Sequence, residues 1–125
     1  MNLTENFAKS EFDSRCGSEM PEDVLRNVEC LAKNLQVLRD NLEQPIVVNS
    51  GYRAPRHNRR VGGARNSYHL YGLAADIRIR GVQPSVIHEA IKSLERDGLM
   101  DVAELIVYKR FVHVAINQNS CDEEE

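Results

Sequence analysis

Residues 104–116 read ELIVYKRFVHVAI, two β-rich runs on either side of Lys109 and Arg110. Runs this rich in β-branched and aromatic residues favour strands, and a short polar break between them favours an antiparallel hairpin. With only Lys109 and Arg110 in the turn, Tyr108 stands opposite Phe111, Val107 opposite Val112, and Ile106 opposite His113. Side chains alternate faces along a strand, so this register puts Glu104 and His113 on one face as diagonal neighbours. The turn carries neither Asn-Gly nor Asp-Gly, so the register rests on the length of the break and not on turn chemistry.

Residues 73–81 (LAADIRIRG) alternate: Ala75, Ile77 and Ile79 share one face, while Ala74, Asp76, Arg78 and Arg80 share the other. This is a strand that points Asp76 away from its apolar side. Between it and the hairpin, QPSVIHEAIKSLERDG (83–98) is a helix with Pro84 near its start, a stripe of Ile87, Ala90, Ile91 and Leu94, and Gly98 as its stop. Upstream, residues 20–45 repeat Val24, Val28, Leu31, Leu35, Leu38 and Leu42 at alternating spacings of four and three, one stripe along a longer helix. Pro21, Glu22 and Asp23 suit its first turn. Ile46–Val48 is a short buried strand ending in a polar turn at Asn49, Ser50 and Gly51. Residues 54–69 (APRHNRRVGGARNSYH) have no useful period, and irregular segments of this length within a domain tend to be functional. The pattern predicts an α+β fold, two main helices packed on a mainly antiparallel sheet.

A chain of 125 residues, 42% hydrophobic and 28% charged, is sized for one domain. The domain is expected over residues 1–117, with 118–125 as an acidic disordered tail. A net charge of −3 argues against nucleic acid as a partner, which calls for clustered cations that outweigh the acids. Locally, Arg53, Arg56, Arg59, Arg60 and Arg65 form a basic stretch suited to an anionic ligand. Gly62 and Gly63 allow a sharp turn there but lack the Lys and Ser or Thr of a phosphate loop. Cys16, Cys30 and Cys121 are odd in number and without CxxC spacing, so no disulfide framework is expected and a reducing compartment fits. The N-terminal residues form no export signal, and no apolar run approaches the ~20 residues of a membrane span. A cytoplasmic place in the producing cell and a monomeric state are the expectations.

Four histidines differ in their surroundings. His88 lies mid-helix and His57 among arginines, where structural or surface roles are the default. His69 and Asp76 could supply two metal ligands if Gly72 lets the chain turn back before the strand, with His113 from the hairpin as the third. Catalytic zinc takes three protein ligands of this kind and keeps a fourth place for water. One His and one Asp in a loop and strand remain a weak signal by themselves.

SGYRAPRHNRRVGGARNSYHLYGLAADI (50–77), with FVHVAI (111–116) downstream, resembles the zinc D-Ala-D-Ala carboxypeptidases and related peptidoglycan peptidases, including phage endolysins. The shared motif S-x-H-x-x-G-x-A-x-D reads Ser67, His69, Gly72, Ala74 and Asp76. LTENFAKSEFDSRCG (3–17) and LQVLRDNL (35–42) extend the resemblance to the compact single-domain branch, over nearly the whole chain.

The resemblance implies the hedgehog/DD-peptidase-like fold, one zinc ion on His69, Asp76 and His113, and a substrate-holding or polarising role for Arg53. Ser67 takes the place of the motif serine, which contacts substrate; fixing the loop backbone is its other reading. Many family members carry an acid three positions before the last histidine, here Arg110, and others an Asp two positions after it, here Ala115. Glu104 is then the candidate general base. The implied activity is zinc-dependent hydrolysis of peptide bonds in peptidoglycan stems, as a D,D- or L,D-carboxypeptidase or endopeptidase. Without an export signal, such an enzyme would be phage-encoded and reach the wall by lysis or on the virion, or act on wall fragments in the cytoplasm. The alternative is a non-catalytic, zinc-stabilised module that binds cell-wall peptide or a protein partner, since the hedgehog signalling domain keeps the same fold and zinc site.

Overall fold

The apolar stripe of residues 24–42 winds into α1 (Glu22–Leu42), which buries Val24, Val28, Leu31, Leu35 and Leu38. Pro21 caps it in an extended conformation and Glu43 ends it at φ 53°. The chain then enters β1 (Val47–Ser50), α2 (Pro55–Arg60), β2 (Ala74–Arg78), α3 (Pro84–Arg96), β3 (Val102–Val107) and β4 (Val112–Ile116). The computed structural model describes residues 1–121.

The strands form one antiparallel sheet in the order β1-β2-β4-β3. The fold is therefore α+β, with helices packed on an antiparallel sheet. Hairpin pairing joins Val107 to Val112, Ile106 to His113 and Leu105 to Val114, the register that a two-residue turn requires. β4 lies between β2 and β3 and is buried throughout. Ala75, Ile77, Val112, Val114 and Ile116 join α1 and α3 residues in one core. Side chains on the other sheet face, Asp76 and His113 among them, point away from those helices, as the alternation in 73–81 predicts.

Several expectations are corrected. β1 runs on to Ser50, past a bulge between Val48 and Ser50, because Asn49 still finds partners: its carbonyl accepts from Arg15 and its Oδ1 from Arg78. The irregular segment contains α2 and runs into a 3-10 helix, Tyr68–Tyr71. Each is too short to show a period, and Pro55 at the first turn of α2 was its one sequence signal. Cys30 and Cys121 form a disulfide, against the expectation of reduced thiols, leaving Cys16 as the free cysteine. Pairing depends on spatial proximity, which a separation of 91 residues conceals. Residues 118–121 form a turn, in which Ser120 N–H donates to the Asn117 carbonyl, and Asn117 Nδ2 donates to Asp101. Residues 122–125 lie outside the described residues. Among the described residues no helix is long and apolar enough to cross a membrane.

Candidate metal centre

His69 sits on the 3-10 helix Tyr68–Tyr71, whose first free N–H groups are met by Ser67: its Oγ accepts from the His69 backbone N–H at 3.1 Å. Ser67 therefore fixes the loop backbone, and it also lines the cavity described below. Gly72 ends the helix at φ +73°, a left-handed conformation that costs little only for glycine. A Cβ there would lie 2.8 Å from both Val24 Cγ1 and Val28 Cγ2. The turn that brings the chain from His69 back to Asp76 is thus pressed onto α1.

Asp76 and His113 are direct cross-strand partners, and Ile106 continues the same rung on β3. The next rung holds Ala74, Ala115 and Glu104. The two alanines leave room for Glu104 to lean back along the sheet, and its Oε1 accepts from His113 Nε2 at 2.8 Å.

Both histidines are held by their outer nitrogens. His69 Nδ1–H donates to the Gly51 carbonyl at 2.7 Å, an acceptor that obliges this nitrogen to carry the proton. Its Nε2 is turned to Asp76 Oδ1 at 3.2 Å. His113 Nε2–H donates to Glu104, and its Nδ1 faces the same Asp76 oxygen at 3.0 Å. Two inward nitrogens around one carboxylate oxygen call for a proton or a cation between them. The three ligand atoms lie within 4.8 Å of one another, and the N, O, N donor set with oriented outer nitrogens suits zinc. His69, Asp76 and His113 are all buried, so these are not loosely held surface groups.

Without a cation the protons adjust. Burial pushes the Asp76 carboxyl upward, yet hydrogen bonds from His113 and His69 hold it well below the usual carboxylate range. For His113, burial favours the neutral ring, and the hydrogen bonds to Asp76 and Glu104 outweigh it and raise the pKa. The protonated imidazole occupies electrostatically the role a cation would fill.

Arg53 approaches the other Asp76 oxygen, with Nη2 at 3.5 Å from Oδ2, while its Nη1 donates to Asn58 Oδ1 at 3.3 Å. Asn58, a residue that sequence reasoning passed over, is buried on α2 and holds three groups. Besides Arg53, its Nδ2 donates to the Ala64 carbonyl at 2.9 Å and its backbone carbonyl accepts from Gly63. A Cβ on Gly63 would collide with Asn58 Oδ1, so the Gly62–Gly63 turn is shaped by packing against this side chain. An asparagine within a run of arginines gives no pattern by which to find it.

A cavity of about 480 Å³ opens over the cluster. Gly62, Gly63, Ala64 and Asn66 line it, as do Ile106, Tyr108 and Phe111 of the hairpin. Tyr108 and Phe111 stack with centroids 4.7 Å apart. Glu104, Arg53 and the three metal-ligand candidates complete the lining, so the sequence-derived site residues all meet here. Arg110 and Ala115 supply no acid: Arg110 is exposed in the hairpin turn, and Ala115 is buried opposite Glu104. His57 and His88 stay apart from the metal-ligating cluster, on α2 and α3.

A family model described as Peptidase M15 matches residues 4–115. The zinc D-Ala-D-Ala carboxypeptidase of Streptomyces albus G is 50% identical over a region covering 58% of this chain and 31% of that protein. This chain thus spans about a third of the curated relative's length. Among solved structures, the Serratia marcescens L-Ala D-Glu endopeptidase ChiX superposes with a TM-score of 0.52 over 83% of this chain and 93% of that one. At 18% identity, that likeness establishes a shared fold.

Proposed function

The chain belongs to the peptidase M15 family, and from that membership we propose that it is a zinc-dependent peptidase acting on the peptide stems of bacterial peptidoglycan, as a D,D- or L,D-carboxypeptidase or endopeptidase. The observation that carries the reading is the pair of histidines with outer nitrogens bound and inner nitrogens converging on Asp76. The printed activities of the two relatives, a D-Ala-D-Ala carboxypeptidase and an L-Ala D-Glu endopeptidase, support peptidoglycan peptides as the substrate class.

When bound, zinc supplies Lewis acidity, which polarises a carbonyl and makes water acidic enough to attack near neutral pH. The chain's own residues supply the rest. Asp76 divides its oxygens, one toward the histidines and one toward Arg53, which locks the arginine at the edge of the cavity. From there the guanidinium orients a substrate carbonyl or carboxylate, a task suited to a planar, permanently charged donor. Glu104 accepts the proton of the attacking water and returns it to the departing amine, so the peptide bond breaks as carboxylate and amine. Its position supports this role: it stands directly across the ladder from Ala115, where other family members carry Asp. Its carboxylate also borders the cavity.

The bond from His113 gives Glu104 a second possible duty, orienting that ring, and Glu104→Gln separates the two. Glutamine keeps an oxygen acceptor for His113 Nε2–H but cannot take a proton. Zinc per chain should remain near one while peptide release from purified peptidoglycan falls about 10²–10⁴-fold. His113→Ala should lose both zinc and cutting. Undiminished release by Glu104→Gln would leave Glu104 as a positioning residue only. A parent that holds zinc and releases nothing from any wall type would favour the zinc-stabilised binding module. The Cys30–Cys121 bond supports action outside a reducing cytosol.

A further inference from the structure

The five arginines between positions 53 and 65 do not act as one patch. Arg53 belongs to the metal cavity, whereas Arg59 and Arg65 line a second cavity of about 510 Å³ with Pro55, Asn58, Gly63 and Leu70. Gly63 lines both, so the two spaces are neighbours across its backbone. No acidic residue lines the second cavity, and among the described residues neither Arg59 nor Arg65 has a carboxylate within ion-pair distance.

Arg59 and Arg65 are exposed and bring two like charges to the lining of one space, where an anion between them offsets their repulsion. The fork geometry of arginine matches a carboxylate with paired hydrogen bonds. Pro55 and Leu70 add apolar surface against which the methylenes of an acidic side chain can lie. Gly63 has no side chain to rise between the cavities, and its close packing on Asn58 keeps it that way.

We propose that this second cavity is an anion subsite for a carboxylate that lies outside the peptide backbone, such as the free carboxylate of the glutamyl residue in a stem peptide whose scissile bond lies at the metal cluster. The inference rests on the peptidase reading for its ligand and on Arg59, Arg65 and the Gly63 partition for its place. It makes the protein selective for stems with that carboxylate free over stems in which it is amidated, a distinction the metal cluster alone does not draw.

The test uses two peptides containing L-Ala–D-Glu, identical except that the off-backbone carboxylate is free in one and a carboxamide in the other. The zinc-loaded parent, Arg59→Gln/Arg65→Gln and Arg59→Lys/Arg65→Lys are compared, with zinc content and melting temperature as folding controls. The parent should show a KM for the free acid roughly tenfold below that for the amide. The glutamine pair should bring the ratio close to one by raising KM for the acid alone, and the lysine pair should retain most of the preference. A parent without preference, or a ratio unchanged by the glutamine pair, overturns the subsite. If the parent cuts neither peptide, hydrolysis of these stems fails while the subsite is still decided by calorimetric binding of the same two peptides. Preference for the acid that is lost in the glutamine pair sustains it, whereas equal affinities or no binding of either peptide overturn it.

Discussion

Asp76 Oδ1 faces two histidine nitrogens, and that geometry couples the metal to protons. In the metal-free protein the raised His113 pKa means that the folded state holds this proton more tightly than the unfolded chain does. Its stabilising contribution is fully present below the unfolded value of about 6.5 and is lost as pH rises through the raised folded value. Zinc must displace the same proton, so its apparent affinity moves the opposite way and strengthens over that window. Thermal melts between about pH 6 and 8.5, with EDTA and with zinc, should show a zinc-induced rise in Tm that grows with pH. His113→Ala should remove the trend, and an increment that shrinks as pH rises would refute the coupling. At this scale the sequence was informative where residues lie on a regular element. His113 and Glu104 could be paired because the hairpin register follows from counting along the strands. Asn58 could not, since its importance arises from tertiary contacts to Arg53, Gly63 and Ala64.

Among the elements, the turn between the 3-10 helix and β2 is constrained both in space and in backbone conformation. Gly72→Ala would force a Cβ to within 2.9 Å of the Val24 carbonyl and onto two valine methyls, in a left-handed backbone conformation as well. Strain and overpacking each cost about 1–3 kcal/mol, so a loss of about 2–4 kcal/mol in denaturant melts is expected. Because the displaced turn carries His69 toward Asp76, zinc affinity should fall too; a variant with parental stability and affinity would show that the turn can shift freely. The long helices and the hairpin were legible because their apolar periods extend over many residues. Residues 54–69 were not, because a six-residue helix and a four-residue 3-10 helix have no room for a period and owe their form to the contacts around them. The motif histidine lies in this segment, so its local structure could not be read from the pattern that revealed the flanking strands.

The whole molecule is closed by a bond that joins its C-terminal turn to α1. Cys30 and Cys121 enclose most of the chain, a separation of 91 residues, and in the chain-entropy picture a crosslink of this span stabilises by about 4–5 kcal/mol. Engineered crosslinks often contribute less, and removal of a native one commonly costs about 2–5 kcal/mol. The bond lies on α1, which packs on the sheet face opposite to the one that carries Asp76 and His113. Its loss should therefore weaken the fold without rearranging the metal cluster. A Cys30→Ser/Cys121→Ser variant should melt roughly 5–20 °C below the parent, as should the reduced parent. Zinc per chain and peptide release at 25 °C should stay close to parental values in both. Equal melting temperatures with and without reductant would show that the crosslink adds nothing to the fold. Lost zinc in a variant that remains folded would show that the C-terminal turn reaches the metal cluster through α1 and Gly72, whose packing on Val24 and Val28 is the physical route available.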